Sequence, residues 1–228
     1  MRRNETFLNL MTGVAAACAV VVTGIVVYRQ FVSPTAVATT RATTRRENRA
    51  IHDWRQQEAA GRRMGLEEAP LTILYYGDFE CPACRGFTNM VEAFRRERPG
   101  DLSVVFRHLP LPYHRFAYPS ARAAECAANQ GRFETMYQAL YGAQDSLGLL
   151  SFHEIARRAT VPDLARFDHC TNDTAKVARV EADRAAAAAA QLPGTPSVII
   201  AGTLYAERLP TAADLDRLVR DARAKQRE

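Results

Sequence analysis

The stretch from Leu71 to Glu97 constrains the fold more than any other. LTILYY (71–76) is a short apolar run of strand formers, and it leads through GDFECPAC into RGFTNMVEAFRRE, where Phe87, Met90, Val91 and Phe94 recur at helical spacing. A strand therefore hands over to a helix, with Cys81 and Cys84 at the junction. LSVVFRHLPL (102–111) reads as a second strand, and the right-handed crossover rule lays it parallel to the first. Residues 120–144 then supply one or two helices, 151–159 a third and 173–192 a fourth. TPSVIIAGTLY (195–205) returns to strand character with Gly202 at a turn, and residues 211–226 close with an amphipathic helix capped by Thr211. The order βαβ, helical insert, ββα predicts an α/β domain.

The position of the dithiol gives it chemistry. Cys81 falls at a helix N-terminus, where unpaired backbone N–H groups and the positive end of the dipole stabilise a thiolate. Pro82 suits the first helical turn, where its missing N–H costs nothing. Cys84, one turn further in, is less exposed and can attack a mixed disulfide formed at Cys81. A fall in the Cys81 pKa from about 8.5 to about 5.5 would favour the reduced form by roughly 2 kcal/mol at pH 7, which makes the disulfide some 45 mV more oxidising. A zinc half-site and a purely structural bridge are the competing readings of C-x-x-C. Zinc normally needs a second pair or histidines at ligand spacing, whereas Cys126 and Cys170 are far apart and belong to no such pair. Closing so short a loop between Cys81 and Cys84 would stabilise little.

The N-terminus has a different character. Residues 7–28 form an uncharged run of 22 residues, long enough for a helix to cross a hydrocarbon core of about 30 Å. An uncleaved single-pass anchor is expected. The competing fates are cleavage near Ala36 and Ala38 and lipidation at Cys18, but Arg29 interrupts before the first site and the apolar run continues past the second. Arg2 and Arg3 favour a cytoplasmic N-terminus, while Arg29, Arg41, Arg45, Arg46 and Arg49 argue the reverse. Residues 29–65 read as a solvated tether followed by a short helix around Ile51 and Trp54, which puts the start of the domain at residue 66. The net charge of +5 comes almost wholly from arginine and forms no basic stripe with interleaved aromatics, so nucleic-acid binding is not expected.

LTILYYGDFECPACRGF, FRHLPLPYHRFAYPSARAAECAANQGRFETMYQALY and LPGTPSVIIAGTLY together resemble the DsbA-like branch of thioredoxin-fold thiol–disulfide oxidoreductases, in their membrane-anchored bacterial form. The likeness runs from about Trp54 to Leu218. It implies a thioredoxin-like α/β fold with a central mixed β-sheet, spanning residues 66–228, with a helical insertion at about 112–192. It implies Cys81 as nucleophile, Cys84 as resolving cysteine, Pro82 and Ala83 as motif-supporting residues, and Pro196 as a cis proline beside the dithiol. The backbone at Thr195 would then pair with an extended substrate segment. Cys126 and Cys170 would form a second, structural disulfide, with free buried cysteines as the alternative. Its loop would stabilise the domain by roughly 4 kcal/mol in the chain-entropy model.

One position departs from that likeness. Related enzymes carry a buried acid six residues before the first cysteine, and this chain has Tyr75 there. Asp78 and Glu80 are the nearest acids, so the acceptor for the Cys84 proton is open. Arg85 either adds to thiolate stabilisation or is simply exposed. His108 and His114 are assigned packing or loop roles, and Trp54 is assigned to anchoring the short helix. The implied protein introduces disulfides into cysteine-containing exported proteins outside the bacterial cytoplasmic membrane, is reset by a separate redox partner, and needs no metal or organic cofactor. A reductase, an isomerase and a non-catalytic binding module are the other readings.

Overall fold

The computed structural model of the chain describes residues 49–205 and 208–227. The expected anchor at 7–28, the start of the tether, and Cys18 lie outside these residues. Among the described residues no helix is long and apolar enough to cross a membrane.

The elements run β1 (Arg49–Ala50), α1 (Trp54–Ala59), β2 (Arg62–Met64), β3 (Leu71–Gly77), α2 (Pro82–Glu97), β4 (Leu102–His108), α3 (Ala117–Ala128), α4 (Phe133–Gly142), a 3-10 turn (Gln144–Ser146), α5 (Phe152–Arg158), α6 (Leu164–Asn172), α7 (Ala178–Ala189), β5 (Ser197–Ile200), β6 (Thr203–Tyr205) and α8 (Ala212–Lys225). Among the described residues six strands form one mixed sheet in the order β1-β6-β5-β3-β4-β2. β3 lies parallel to β4 and antiparallel to β5. This is the thioredoxin-like arrangement, with α3 to α7 inserted between β4 and β5.

The three central strands β5, β3 and β4 are buried almost throughout and mostly apolar because both faces of the sheet are covered. Period-two alternation sorts their side chains. Ile73, Tyr75, Val104, Phe106, Val198 and Ile200 join the larger core with Phe87, Val91 and Phe94 of α2, Leu215 and Val219 of α8, and much of the insert. Leu74, Tyr76, Val105 and Ile199 face the other way, onto Ile51, Ala187 and Trp54. Ala121, Ala123, Ala124 and Ala127 are buried on α3, small enough to let the insert helices approach closely. Cys126 on α3 and Cys170 on α6 are joined as a disulfide 44 residues apart in sequence. α8 starts with a capping box in which Thr211 and Asp214 bond each other's backbone N–H.

Three features differ from the sequence reading. Residues 49–50 and 62–64 belong to the sheet's two edges rather than to a tether: β1 pairs with β6 and β2 with β4. A helix, α6, occupies 164–172, started by the Asp163 carboxylate on the N–H of Arg166. The next helix begins at Ala178 instead of residue 173, since Asp173 turns the chain into extended backbone and bonds the N–H of Ala175.

Candidate active site

β3 ends at Gly77, where any side chain would collide: a Cβ there would lie 2.5 Å from the Phe106 ring and 2.9 Å from the rings or hydroxyls of Tyr75 and Tyr141. The next residue, Asp78, is buried, and its carboxylate accepts from the N–H of Glu80 (2.8 Å), the N–H of Leu111 (2.9 Å) and His114 Nδ1 (2.7 Å). That carboxylate pins the turn out of the strand. The Asp78 carbonyl takes the N–H of Cys81 at 3.2 Å, and Cys81 occupies the N-cap of α2 in extended backbone (φ −76°, ψ 119°) with Pro82 following.

The structure gathers four of the expected residues. Cys81 Sγ lies 3.6 Å from the carbonyl oxygen of Thr195, and the Thr195–Pro196 peptide is cis. Cys84 is buried within the first turn of α2, and both thiols are free. Pro82 and Ala83 are exposed on the lip. Cys126 and Cys170 are instead in the insert, as a disulfide.

The two thiols are driven apart in acidity. A hydrogen bond from the Cys84 thiol is the largest influence on Cys81. Burial opposes it, but the backbone N–H groups at the start of α2 and the Thr195 side chain add to it, and the Cys81 pKa falls to about 5. Burial pushes the Cys84 thiol far upward, the neighbouring Cys81 thiolate pushes it further, and the Tyr75 hydroxyl pulls part of the way back. At neutral pH the pair thus holds one thiolate and one thiol.

Tyr75 takes the place of the missing acid. Its hydroxyl donates to the Cys84 carbonyl at 3.3 Å and shares a hydrogen bond with the Tyr141 hydroxyl at 3.2 Å. Burial holds both phenols neutral, well above their ordinary pKa. The nearby carboxylates are engaged elsewhere, Asp78 as described and Glu80 on the N–H of Phe116. Cys84 therefore faces hydroxyls where a carboxylate was the alternative. Tyr75→Phe is expected to slow the attack of Cys84 on a mixed disulfide by about fivefold, the scale of one hydrogen bond of ~1 kcal/mol. Stopped-flow resolution of a preformed mixed disulfide measures this, and the Cys81 titration should stay in place.

The remaining polar residues resolve as follows. Arg85 pairs with Asp145 at 2.6 Å on the surface. His108 is buried and bonds Glu125 at 2.9 Å through Nε2. Burial alone would raise the Glu125 carboxyl, but His108 and Arg62 hold it at about 2. Trp54 packs over Gly202, whose φ of +80° and lack of a side chain leave room for the indole. Gln144 was not visible as a site residue: its buried carboxamide donates to the carbonyls of Phe79 (2.7 Å) and Cys81 (3.0 Å). Its signal in sequence is nil, because a lone glutamine after a helix has no pattern to read. Among the described residues no cluster of three or more His, Cys, Asp or Glu side chains is arranged to hold a metal ion.

Comparison with known proteins agrees with this geometry. The thioredoxin family model matches residues 57–221. A thioredoxin-like oxidoreductase from Silicibacter pomeroyi DSS-3 superposes with a TM-score of 0.60 at 25% identity, covering 77% of this chain and 99% of that one. DsbA2 from Pseudomonas aeruginosa superposes at 0.54 with 26% identity, covering 70% and 94%. In sequence, the Na(+)/H(+) antiporter NhaA 1 of Mycolicibacterium gilvum is 39% identical over 141 residues, which are 60% of this chain. The match spans only 23% of the antiporter's length.

Proposed function

We propose that this chain, which belongs to the thioredoxin family and is a thiol–disulfide oxidoreductase of the DsbA-like kind, works in the oxidising direction on cysteine pairs of exported proteins. The observation that carries the reading is the split between the two thiols, with Cys81 held at about 5 and Cys84 pushed upward. A stabilised Cys81 thiolate favours the reduced enzyme, so the oxidised enzyme gives its disulfide away readily.

In the proposed reaction a substrate thiolate attacks Cys81 Sγ of the oxidised enzyme. The Cys81–Cys84 bond breaks, and Cys84 leaves and takes up a proton. A second substrate thiolate then attacks the substrate sulfur of the mixed disulfide and expels Cys81 as thiolate. The substrate loses two electrons and the enzyme gains them. The high pKa of Cys84 works against its return attack, and the low pKa of Cys81 makes it a good leaving group. Thr195 and Pro196 lie beside Cys81 where an extended substrate backbone would lie. A separate partner must then reoxidise the dithiol.

The site of action in this reading is the periplasm or cell exterior, with residues 7–28 as a single-pass anchor in the bacterial cytoplasmic membrane. The Cys126–Cys170 disulfide supports it, since such bonds persist in oxidising compartments. The test is oxidative refolding: the oxidised enzyme should transfer its disulfide to a reduced, unfolded two-cysteine protein faster than glutathione disulfide does. No acceleration, together with rapid reduction of an intact protein disulfide by the dithiol form, would reverse the direction.

A further inference from the structure

We propose that Gln144 is a positioning residue through which the helical insert sets the reactivity of Cys81. It opens the 3-10 turn Gln144–Ser146 after α4, is 8% exposed, and reaches the loop between β3 and α2 from outside the dithiol motif. Its Nε2 donates to two carbonyls, those of Phe79 and Cys81, at 2.7 and 3.0 Å. Both partners are acceptors, so only the amide NH2 can satisfy them; a carboxylate of the same shape would set acceptor against acceptor.

The consequence for Cys81 follows from its place at the N-cap. Its backbone is fixed by the Asp78 carbonyl on its N–H, by the N–H of Arg85 on its carbonyl at 3.2 Å, and by Gln144 on the same carbonyl. The first two belong to the local turn and to α2 itself. Gln144 alone of the three ties the junction to the insert. With the peptide held there, Cys81 Sγ faces the N–H groups of Ala83 and Cys84 and the Thr195 side chain; a rotated peptide would lose that alignment. The neighbouring Asp145 adds a tie to Arg85, but it is 83% exposed and such surface pairs contribute little.

The inference rests on Cys81 as the low-pKa thiol, and that assignment is checked first in the full-length chain, where Cys81→Ser must abolish the acidic thiolate titration seen in the wild type. Ultraviolet titration of the reduced Gln144→Met protein, which keeps the side-chain length and removes the donors, should then show the Cys81 midpoint moved up by about one unit. That is a tenfold loss in the thiolate-to-thiol ratio at a fixed acidic pH, and exchange with a small disulfide should slow in proportion below neutrality. Gln144→Glu should shift it further, and Asp145→Ala should change the ratio less than about twofold. Gln144→Asn, which draws the amide back by one methylene, carries the same upward expectation and replaces Gln144→Met if that variant does not fold. A midpoint unchanged within about 0.2 units in a folded Gln144 variant, whatever its unfolding temperature, would reduce Gln144 to a packing residue and overturn the proposal.

Discussion

Cys81→Ser should lose at least about a thousandfold in disulfide-exchange rate while unfolding at nearly the wild-type denaturant concentration, because the thiolate is the reacting species and the hydroxyl that replaces it is neither ionised nor redox-active. Cys84→Ser should behave differently. It keeps the nucleophile and loses the group that returns the attack, so mixed disulfides with substrate should accumulate on non-reducing gels. The pH profile of wild-type alkylation identifies the reacting group. With Cys81 at about 5, the rate should be flat at neutral pH and fall tenfold per unit only below that value. An ordinary thiol would already be losing reactivity below about pH 8.5. A Cys81→Ser protein that retained its physiological activity would favour the binding-module reading.

The largest effect on stability is expected on the opposite face of the sheet. Arg107 of β4 and Asp183 of α7 are 4% and 1% exposed. The Asp183 carboxylate takes Arg107 Nε at 2.6 Å and the N–H of His108 at 2.8 Å, while Arg107 Nη1 donates to the Gln57 carbonyl at 3.0 Å. The pair thus joins α7 and α1 to the sheet. Asp183→Ala leaves a buried guanidinium and a buried N–H without their acceptor, at an expected cost of about 3–5 kcal/mol in urea unfolding. Replacing both partners by apolar residues of similar volume, Arg107→Met with Asp183→Leu, should recover much of that loss. A cost below about 1 kcal/mol for Asp183→Ala would mean that water reaches the pair.

What could be read from the sequence was whatever repeats at a structural period or sits in a fixed motif. β3 and α2 change from period two to helical spacing within a few residues, and the dithiol marks the change. Gly202 splits the last apolar run into β5 and β6, and Thr211 caps α8 as its residue type suggests. β1 and β2 escaped because strands of two and three residues have no period, and the charged Arg62-Arg63 pair hides an edge strand. α6 escaped because its one fully buried side chain, Phe167, gives no apolar stripe. At the site, Cys81, Cys84, Thr195 and Pro196 were legible as motif residues. Tyr75 was legible only as a departure. That its hydroxyl meets Tyr141 and the Cys84 backbone depends on residues 66 positions apart. Gln144, 63 residues beyond Cys81, left no local trace at all.

The direction of electron flow rests on the thermodynamics of one bond. The Cys81 pKa is depressed in the folded reduced state, to about 5 from an ordinary thiol value near 9. The stabilisation it gives the dithiol form is therefore fully present above the unfolded value and is lost as pH falls through about 5. At pH 7 it amounts to about 2 kcal/mol after allowance for solvent screening, or some 40 mV toward a more oxidising disulfide. The most direct measurement is the reduction potential of the Cys81–Cys84 pair, equilibrated against glutathione at pH 7 with Cys126–Cys170 intact. The oxidase reading predicts a value near the oxidising end of the thioredoxin-fold range, about −120 mV. A value near about −270 mV would contradict it and make the chain a reductase.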